Sequence, residues 1–210
     1  MGRFFVNVPA TLLNMLLADK LKNINVILGS ASPRRKELLG YLDIDFTVDA
    51  TSNTPEVVDP LLPLLQVAPS LSRQKSEGFH RPLLQNELLI TADTVVICKN
   101  RILGKPKDAV QASEMLHLLS GCTHQVCTGV TLRTKTSVDT FSAVTRVTFR
   151  DLSEHEIDYY IGHYKPFDKA GSYGIQEWIG AIGIVGIEGS FYNVMGLPVQ
   201  ALHTHLLDMV

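Results

Sequence analysis

A short segment near the beginning of the chain combines side chains that bind phosphate. Ser30 and Ser32 supply hydroxyl groups. Arg34 and Arg35 follow Pro33, which suits the first position of a helix. The helix dipole disfavours cations at this end by about 0.3–1 kcal/mol each, so their presence there suggests a function. Free N–H groups at the helix start would complete a site for a phosphate chain, although a solvated basic turn is the alternative.

Asp93 is the one carboxylate in a mostly apolar segment, residues 88–96. A lone aspartate in such a segment is costly unless it caps an element, pairs with a cation or binds a metal ion. At the end of a buried strand it is well placed to bind a metal or to orient water. A turn aspartate that closes the strand is the alternative.

Two later loops offer further polar groups to an anionic ligand. Lys105 precedes Pro106, which fixes the backbone so that the ammonium group can be aimed at an anion. The loop 167–176 contains Lys169 and ends at Gln176, whose amide has a donor and an acceptor for the edge of a base. An ordinary connection between two elements is the alternative for this second loop.

Strand and helix signals predict the elements that must position these groups. The expected strands are 24–28, 88–90, 95–98, 125–133, 140–149 and 179–187, with a hairpin at 99–101, and the expected helices are 34–42, 108–119, 153–164 and 198–207. The proline-containing segment 51–70 is expected to be an irregular loop. This pattern predicts an α/β fold with a mixed twisted sheet, flanking helices and two lobes around a cleft. We assign residues 1–23 to an N-terminal extension and lead-in, with Met15 as an alternative start, and residues 24–210 to a single domain.

Composition and charge narrow the classes of protein. The chain has 210 residues, of which 45% are hydrophobic, and its formal net charge of −2 disfavours a nucleic-acid partner. No apolar run reaches the roughly 18 residues of a membrane span, so no membrane partner is expected. Three cysteines indicate no disulfide framework and favour a reducing compartment, the cytoplasm. Cys122, His124 and Cys127 lie close together but lack a fourth ligand for zinc.

Seven segments, taken in order, resemble the Maf family of nucleoside triphosphate pyrophosphatases. The resemblance covers about residues 24–207. The segments are SASPRRKELL at 30–39, ADTVV at 92–96, LGKP at 103–106, LSG at 119–121, TGV at 128–130, DKAGSYGIQ at 168–176 and GSFYNVMGLP at 189–198. The resemblance implies a fold like that of inosine triphosphate pyrophosphatase, and it implies a homodimer. It also implies hydrolysis of a nucleoside triphosphate to the monophosphate and pyrophosphate, with a divalent metal cation, Mg or Mn.

The resemblance also implies roles for individual residues. Asp93 matches the proposed catalytic base. The residues that match phosphate-binding positions are Ser30, Ser32, Arg34, Arg35, Lys75, Lys105 and Lys169. Arg34, Thr94 and Gln176 match the residues that mark the subfamily acting on dTTP and UTP, and removal of modified nucleotides from the pool is a further expectation.

Two departures from the family pattern keep alternatives open. Members carry an acidic pair after the second strand, whereas segment 51–56 retains only Glu56, which we expect to share a metal with Asp93. Gln176 is usually followed by glycine, and here Glu177 takes that place. One alternative is a nucleotide-binding regulator of cell division with little turnover. The other is a pyrophosphatase with a different base preference.

Overall fold

A mixed β-sheet organises the chain in the structure, a computed structural model that describes residues 16–52, 55 and 57–209. The strands are β1 Asn25–Leu28, β2 Phe46–Val48, β3 Glu87–Cys98, β4 Arg101–Leu103, β5 Thr123–Arg133, β6 Val138–Phe149 and β7 Ile184–Glu188. Their order is β2-β1-β3-β5-β6-β7, with β4 paired to β3. β1 is parallel to β2 and β3, and the other pairs are antiparallel. The predicted α/β fold with a mixed sheet is confirmed.

Helices flank this sheet and fill the connections between its strands. They are α1 Leu17–Leu21, α2 Pro33–Gly40, α3 Leu64–Glu77, α4 Ala109–Leu119, α5 Glu154–Tyr164, α6 Trp178–Gly183, α7 Phe191–Met195 and α8 Val199–Met209, and a 3₁₀ turn spans Ala170–Ser172. Local signals set several starts: Asp108 accepts a hydrogen bond from the Gln111 N–H, and Ser153 forms a capping box with Glu156. No helix among the described residues is long and apolar enough to cross a membrane.

Two of the clusters that form the hydrophobic core are large. One joins β1, α2 and α8, and includes Leu28, Leu38 and Leu206. Leu17 and Leu21 of α1 also belong to it, so the lead-in contributes to the core. The other cluster joins β5 to α4 and α5. The division into residues 1–23 and 24–210 stays a prediction, and residues 1–15, including Met15, lie outside the described residues.

Three predictions about elements are wrong. Segment 51–70 is not loop throughout, because α3 begins at Leu64 and continues through Pro69. Segment 179–187 is not a single strand, because its first part forms α6 and only then β7 follows. The strands expected at 88–90 and 95–98 are one continuous strand, β3. The hairpin at 99–101 is confirmed: Cys98 pairs with Arg101, and Lys99 and Asn100 both have positive φ, as a tight hairpin turn requires.

The position of α3 depends on one glycine of the sheet. A Cβ atom at Gly129 of β5 would lie 2.3 Å from the backbone nitrogen of Pro69. Only glycine therefore lets the helix backbone lie directly on the strand. The close approach brings the last turns of α3, which carry Lys75, over the sheet and towards Asp93 of β3.

Candidate active site

A cavity of about 480 Å³ opens where β1 ends and α2 begins. All predicted site residues that the structure describes line it, namely Ser30, Ser32, Arg34, Arg35, Lys75, Asp93, Thr94, Lys105, Lys169 and Gln176. They come from the turn after β1, from the first turn of α2, from α3, from β3 and from the loops after β4 and α5. Glu56 lies outside the described residues, so its expected metal contact stays a prediction. The individual roles of the other residues also stay predictions.

Within the described part of the chain, three hydrogen bonds hold Arg35 at the edge of the cavity. Its Nε donates to the carbonyl oxygen of Gly196 at 2.9 Å. Its two terminal nitrogens donate to Ser30 Oγ at 3.3 Å and to Thr94 Oγ1 at 3.1 Å. The planar guanidinium group is therefore oriented on three sides within the protein. A cation with a fixed orientation can stabilise a phosphate group without reorganising when the substrate binds.

A chain of hydroxyl groups continues from Arg35 into the protein interior. Thr94 Oγ1 lies 2.9 Å from Thr128 Oγ1, and Thr128 Oγ1 donates to the carbonyl oxygen of Asn193 at 3.0 Å. Because Thr128 uses its proton on Asn193, Thr94 must donate to Thr128 and accept from Arg35. Asn193 is itself buried, and its Nδ2 donates to the Val126 carbonyl and to Thr145 Oγ1. The Thr94 hydroxyl, predicted to mark base preference, thus also holds Arg35.

Asp93 forms an ion pair with Lys75. The Lys75 ammonium group contacts Asp93 Oδ1, and the two side chains are 21% and 16% exposed. This partial burial makes the contact stronger than a surface pair. Asp93 is therefore paired with a cation, as a carboxylate in an apolar segment must be. Lys75 contacts one of its two oxygens, and a metal ion or a water molecule would bind at the other.

Asp168 bridges two of the predicted phosphate-binding cations. Its Oδ2 accepts from Arg34 at 2.7 Å, and its Oδ1 accepts from Lys169 at 2.8 Å. Burial by itself would raise the pKa of Asp168, but the hydrogen bonds from Lys169 and Arg34 lower it to about 2. The carboxylate is therefore ionised at neutral pH. It holds the start of α2 and the loop after α5 together across the cavity.

The carboxylates around the cavity allow a test of whether a divalent cation fits. The described residues contain no group of three or more His, Cys, Asp or Glu side chains that could hold a metal by themselves. Asp49 has both oxygens engaged, by His80 and by the Thr51 N–H, and Asp168 has both engaged by cations. Asp93 remains, with one oxygen in contact with Lys75. Mg²⁺ is commonly held by one or two carboxylates together with substrate phosphates, so Asp93 fits a metal that arrives with a nucleotide.

Several residues of this site had been assigned no role from the sequence. Asp168, Thr128 and Asn193 belong to segments that carried the family resemblance, but their types alone did not reveal their partners. Each partner lies far away in the chain: Asp168 pairs with Arg34, and Thr128 with both Thr94 and the Asn193 carbonyl. β5 contains two further threonines, so the residue type of Thr128 did not single it out.

The α/β fold thus carries a cavity lined by Arg34, Arg35, Lys105 and Lys169, a set of cations that suits a polyanionic ligand. The family model described as Maf-like protein matches residues 25–209, and the chain belongs to that family. It is 52% identical over 194 residues to a Porphyromonas gingivalis protein named dTTP/UTP pyrophosphatase, covering 91% of this chain and 98% of that protein. A Flavobacterium psychrophilum protein of the same name is 47% identical over 193 residues, covering 92% of this chain and 98% of its own.

Among solved structures, a HAM1 protein from Coxiella burnetii aligns with 88% of this chain and 99% of its own. The TM-score is 0.45 and the sequence identity is 14%.

Proposed function

We propose that this protein hydrolyses dTTP and UTP to their monophosphates and pyrophosphate. One observation carries the proposal: the residues that the family resemblance assigns to phosphate, base and catalysis line a single cavity, although they are scattered along the sequence. Two relatives that are 52% and 47% identical to this chain are named for this activity, and each alignment spans 98% of the relative's length.

The cations of the cavity suit the phosphate end of such a substrate. A nucleoside triphosphate carries about four negative charges, which need cations and N–H donors to leave water. Arg34, Arg35, Lys105 and Lys169 supply the cations, and the start of α2 supplies N–H groups. Arg35 is oriented in advance by its three hydrogen bonds. These groups would offset the charge that develops on the pyrophosphate leaving group.

Asp93 is the group best placed to activate water. A carboxylate can orient a water molecule and accept its proton as the water attacks the α-phosphate in line with the leaving group. Lys75 contacts one of its oxygens and so fixes its orientation. A divalent cation, Mg or Mn, would be held by Asp93 together with the substrate phosphates, and it would supply further charge stabilisation.

The side chain of Gln176 suits the base of a dTTP or UTP substrate. Its amide can donate to and accept from the O4 and N3 edge that thymine and uracil share. Cytosine presents the opposite pattern at position 4, and a glutamine can turn its amide to follow it. Discrimination against CTP is therefore expected to be moderate, in the range of roughly 1–3 kcal/mol for a bidentate contact.

A pyrophosphate-release assay tests the proposal. Turnover is measured side by side with dTTP, UTP, CTP, GTP and 7-methyl-GTP, first with magnesium and then with manganese. A preference for dTTP and UTP supports it, and a preference for a purine substrate would leave a pyrophosphatase with a different base preference. Binding of dTTP without pyrophosphate release would instead favour a nucleotide-binding regulator of cell division, the alternative that the lost acidic pair suggests.

A cytoplasmic location and a homodimer belong to the same proposal. The location is supported by the three cysteines, all of which are free thiols. The homodimer is supported by the family resemblance alone, and sedimentation of the purified protein would test it.

A further inference from the structure

Glu177, which follows Gln176 directly, contacts two parts of the site at once. Its Oε1 lies 3.0 Å from the Lys169 ammonium nitrogen. Its Oε2 accepts a hydrogen bond from the Tyr160 hydroxyl. Both carboxylate oxygens are therefore in use, one towards a predicted phosphate-binding cation and the other towards α5.

The Tyr160 hydroxyl links Glu177 to the backbone of the loop that carries Gln176. Tyr160 is fully buried, and its oxygen accepts from the Gly174 N–H at 3.0 Å. Because that N–H is the donor, the hydroxyl proton is directed at Glu177. Burial raises the pKa of Tyr160, and the hydrogen bond to Glu177 raises it further, so the phenol stays a neutral donor.

The same carboxylate packs on the backbone of this loop. A Cβ atom at Gly174 would lie 2.7 Å from Cδ of Glu177, so a glycine is needed for the contact. The Glu177 N–H also donates to the Gly174 carbonyl at 3.0 Å. The turn from 174 to 177, which contains Gln176, is thus closed by its backbone and braced by the side chain of Glu177.

A helix-capping role does not explain these contacts. Glu177 occupies the N-cap position of α6, but its side chain accepts no hydrogen bond from the first turn of that helix. Electrostatics alone does not explain them either, because a carboxylate beside a phosphate site weakens the attraction for a polyanion. The two contacts themselves, to Lys169 and to the Tyr160 hydroxyl, therefore account for a carboxylate at this position.

We propose that Glu177 is a positioning residue that fixes Lys169 for the phosphate end of the substrate and Gln176 for the base end. The proposal rests on the proposed function for the assignment of those two ends. Lys169 and Gln176 line the cavity, whereas Glu177 is not among its lining residues. One carboxylate would thereby set the distance between the cation that binds phosphate and the amide that reads the base.

Three variants test this, each assayed by chromatography of the dTMP or CMP formed. Glu177→Ala removes both contacts. Tyr160→Phe removes the hydroxyl that joins Glu177 to the Gly174 N–H, and it leaves the contact between Glu177 and Lys169 in place. Glu154→Ala is the control, because Glu154 is an exposed carboxylate on α5 whose partner is His117. The readouts are the ratio of kcat/KM for dTTP to that for CTP, and the inhibition constant of pyrophosphate, which lacks a base.

We expect Glu177→Ala to lower the dTTP/CTP ratio and to weaken pyrophosphate inhibition, each by about three- to tenfold, as for loss of one hydrogen bond. Tyr160→Phe should lower the ratio alone, and Glu154→Ala should change neither. The proposal is overturned if Glu177→Ala changes only one readout or none, or if it lowers KM for dTTP at an unchanged ratio, the signature of charge alone. If Glu177→Ala fails to fold, Tyr160→Phe decides, and an unchanged ratio overturns the proposal.

A failure of the proposed function would be recognised separately, in the unmodified protein. If it forms no dTMP from dTTP, the same comparisons are made by calorimetric binding of dTTP, CTP and pyrophosphate. The expected pattern of losses among the three variants is the same, so the role of Glu177 is judged without turnover.

Discussion

Replacing Thr128 with valine tests whether Arg35 is held in place by residues that it does not touch. Valine has nearly the shape of threonine but no hydroxyl. Thr128 is fully buried, and its Oγ1 takes part in two hydrogen bonds, from Thr94 and to the Asn193 carbonyl. The substitution therefore removes the acceptor on which the orientation of the Thr94 hydroxyl depends, and that hydroxyl accepts from Arg35.

The structure limits how large the effect on stability can be. Two neutral hydrogen bonds contribute about 1–3 kcal/mol together. The Asn193 carbonyl keeps a second hydrogen bond, from the Gly196 N–H at 3.1 Å, so it is not left without a donor. We therefore expect the free energy of unfolding to fall by about 1–2 kcal/mol, the lower part of that range. Urea unfolding followed by circular dichroism measures this change.

The effect on activity separates a site role from a purely structural one. Arg35 keeps its bonds to Gly196 and Ser30, so we expect KM for dTTP to rise by only about three- to tenfold, as for one weakened hydrogen bond. Thr123→Val is the matched control, since Thr123 is an exposed threonine on the same strand whose hydroxyl pairs with Thr148 at 2.8 Å. If Thr128→Val loses stability while KM stays at the control value, Arg35 does not depend on this chain of hydroxyls and the reasoning is refuted.

Three further predictions concern catalysis, metal and pH. Asp93→Asn should lower kcat by about 10²–10⁴, the range for loss of a general base, and turnover near the unmodified rate would exclude Asp93 from that role. EDTA should abolish turnover without changing the melting temperature, because the described residues hold no cluster that could bind a structural metal; a lower melting temperature would point to one. Burial lowers the pKa of His124 from 6.5 to about 4, so the unfolded chain takes up this proton at higher pH than the folded chain does. The stability that depends on neutral His124 is thus present above pH 6.5 and lost as the pH falls towards 4. His124→Gln should make urea stability less dependent on pH in that window, and an unchanged slope would contradict the assignment.

The turn between β1 and α2 was predictable because its signals are local. A buried strand, a glycine turn and a proline at the first helical position follow one another within a few residues, and the structure has β1, the turn and α2 in that order. The capped starts of α4 and α5 were predictable for the same reason. In each case the residues that specify the element are the residues that form it.

The helix α3 was not predictable from such signals. Proline in the interior of a helix costs about 3 kcal/mol relative to alanine, and Pro69 lies within α3. Its neighbours Val67, Ala68 and Leu71 are buried, so packing on the sheet outweighs the local cost. Because the helix was missed, only the family resemblance assigned Lys75, which lies on it, to the site.

The helix α6 was missed for a related reason. Glycines in an apolar segment suggested a bulged strand, yet a Cβ atom at Gly180 would lie only 2.0 Å from the carbonyl oxygen of Ile175. The glycine is there because α6 packs directly against the loop that carries Gln176. That approach depends on where two separate segments meet, which composition and periodicity cannot report.

Local signals identify candidates for contact with a substrate, whereas the residues that hold those candidates in place depend on contacts between distant segments. The residue type of a cation or an amide indicates which ligand group it can bind, so Arg35, Lys169 and Gln176 were identifiable as candidates. The groups behind them are ordinary hydroxyls and carboxylates, which acquire a role only through a distant partner: Thr128 through Thr94, and Glu177 through Lys169. Mutations at such positions should therefore alter KM and base preference while leaving the reacting groups in place. Kinetic selectivity, rather than loss of activity, is the measurement that reveals them.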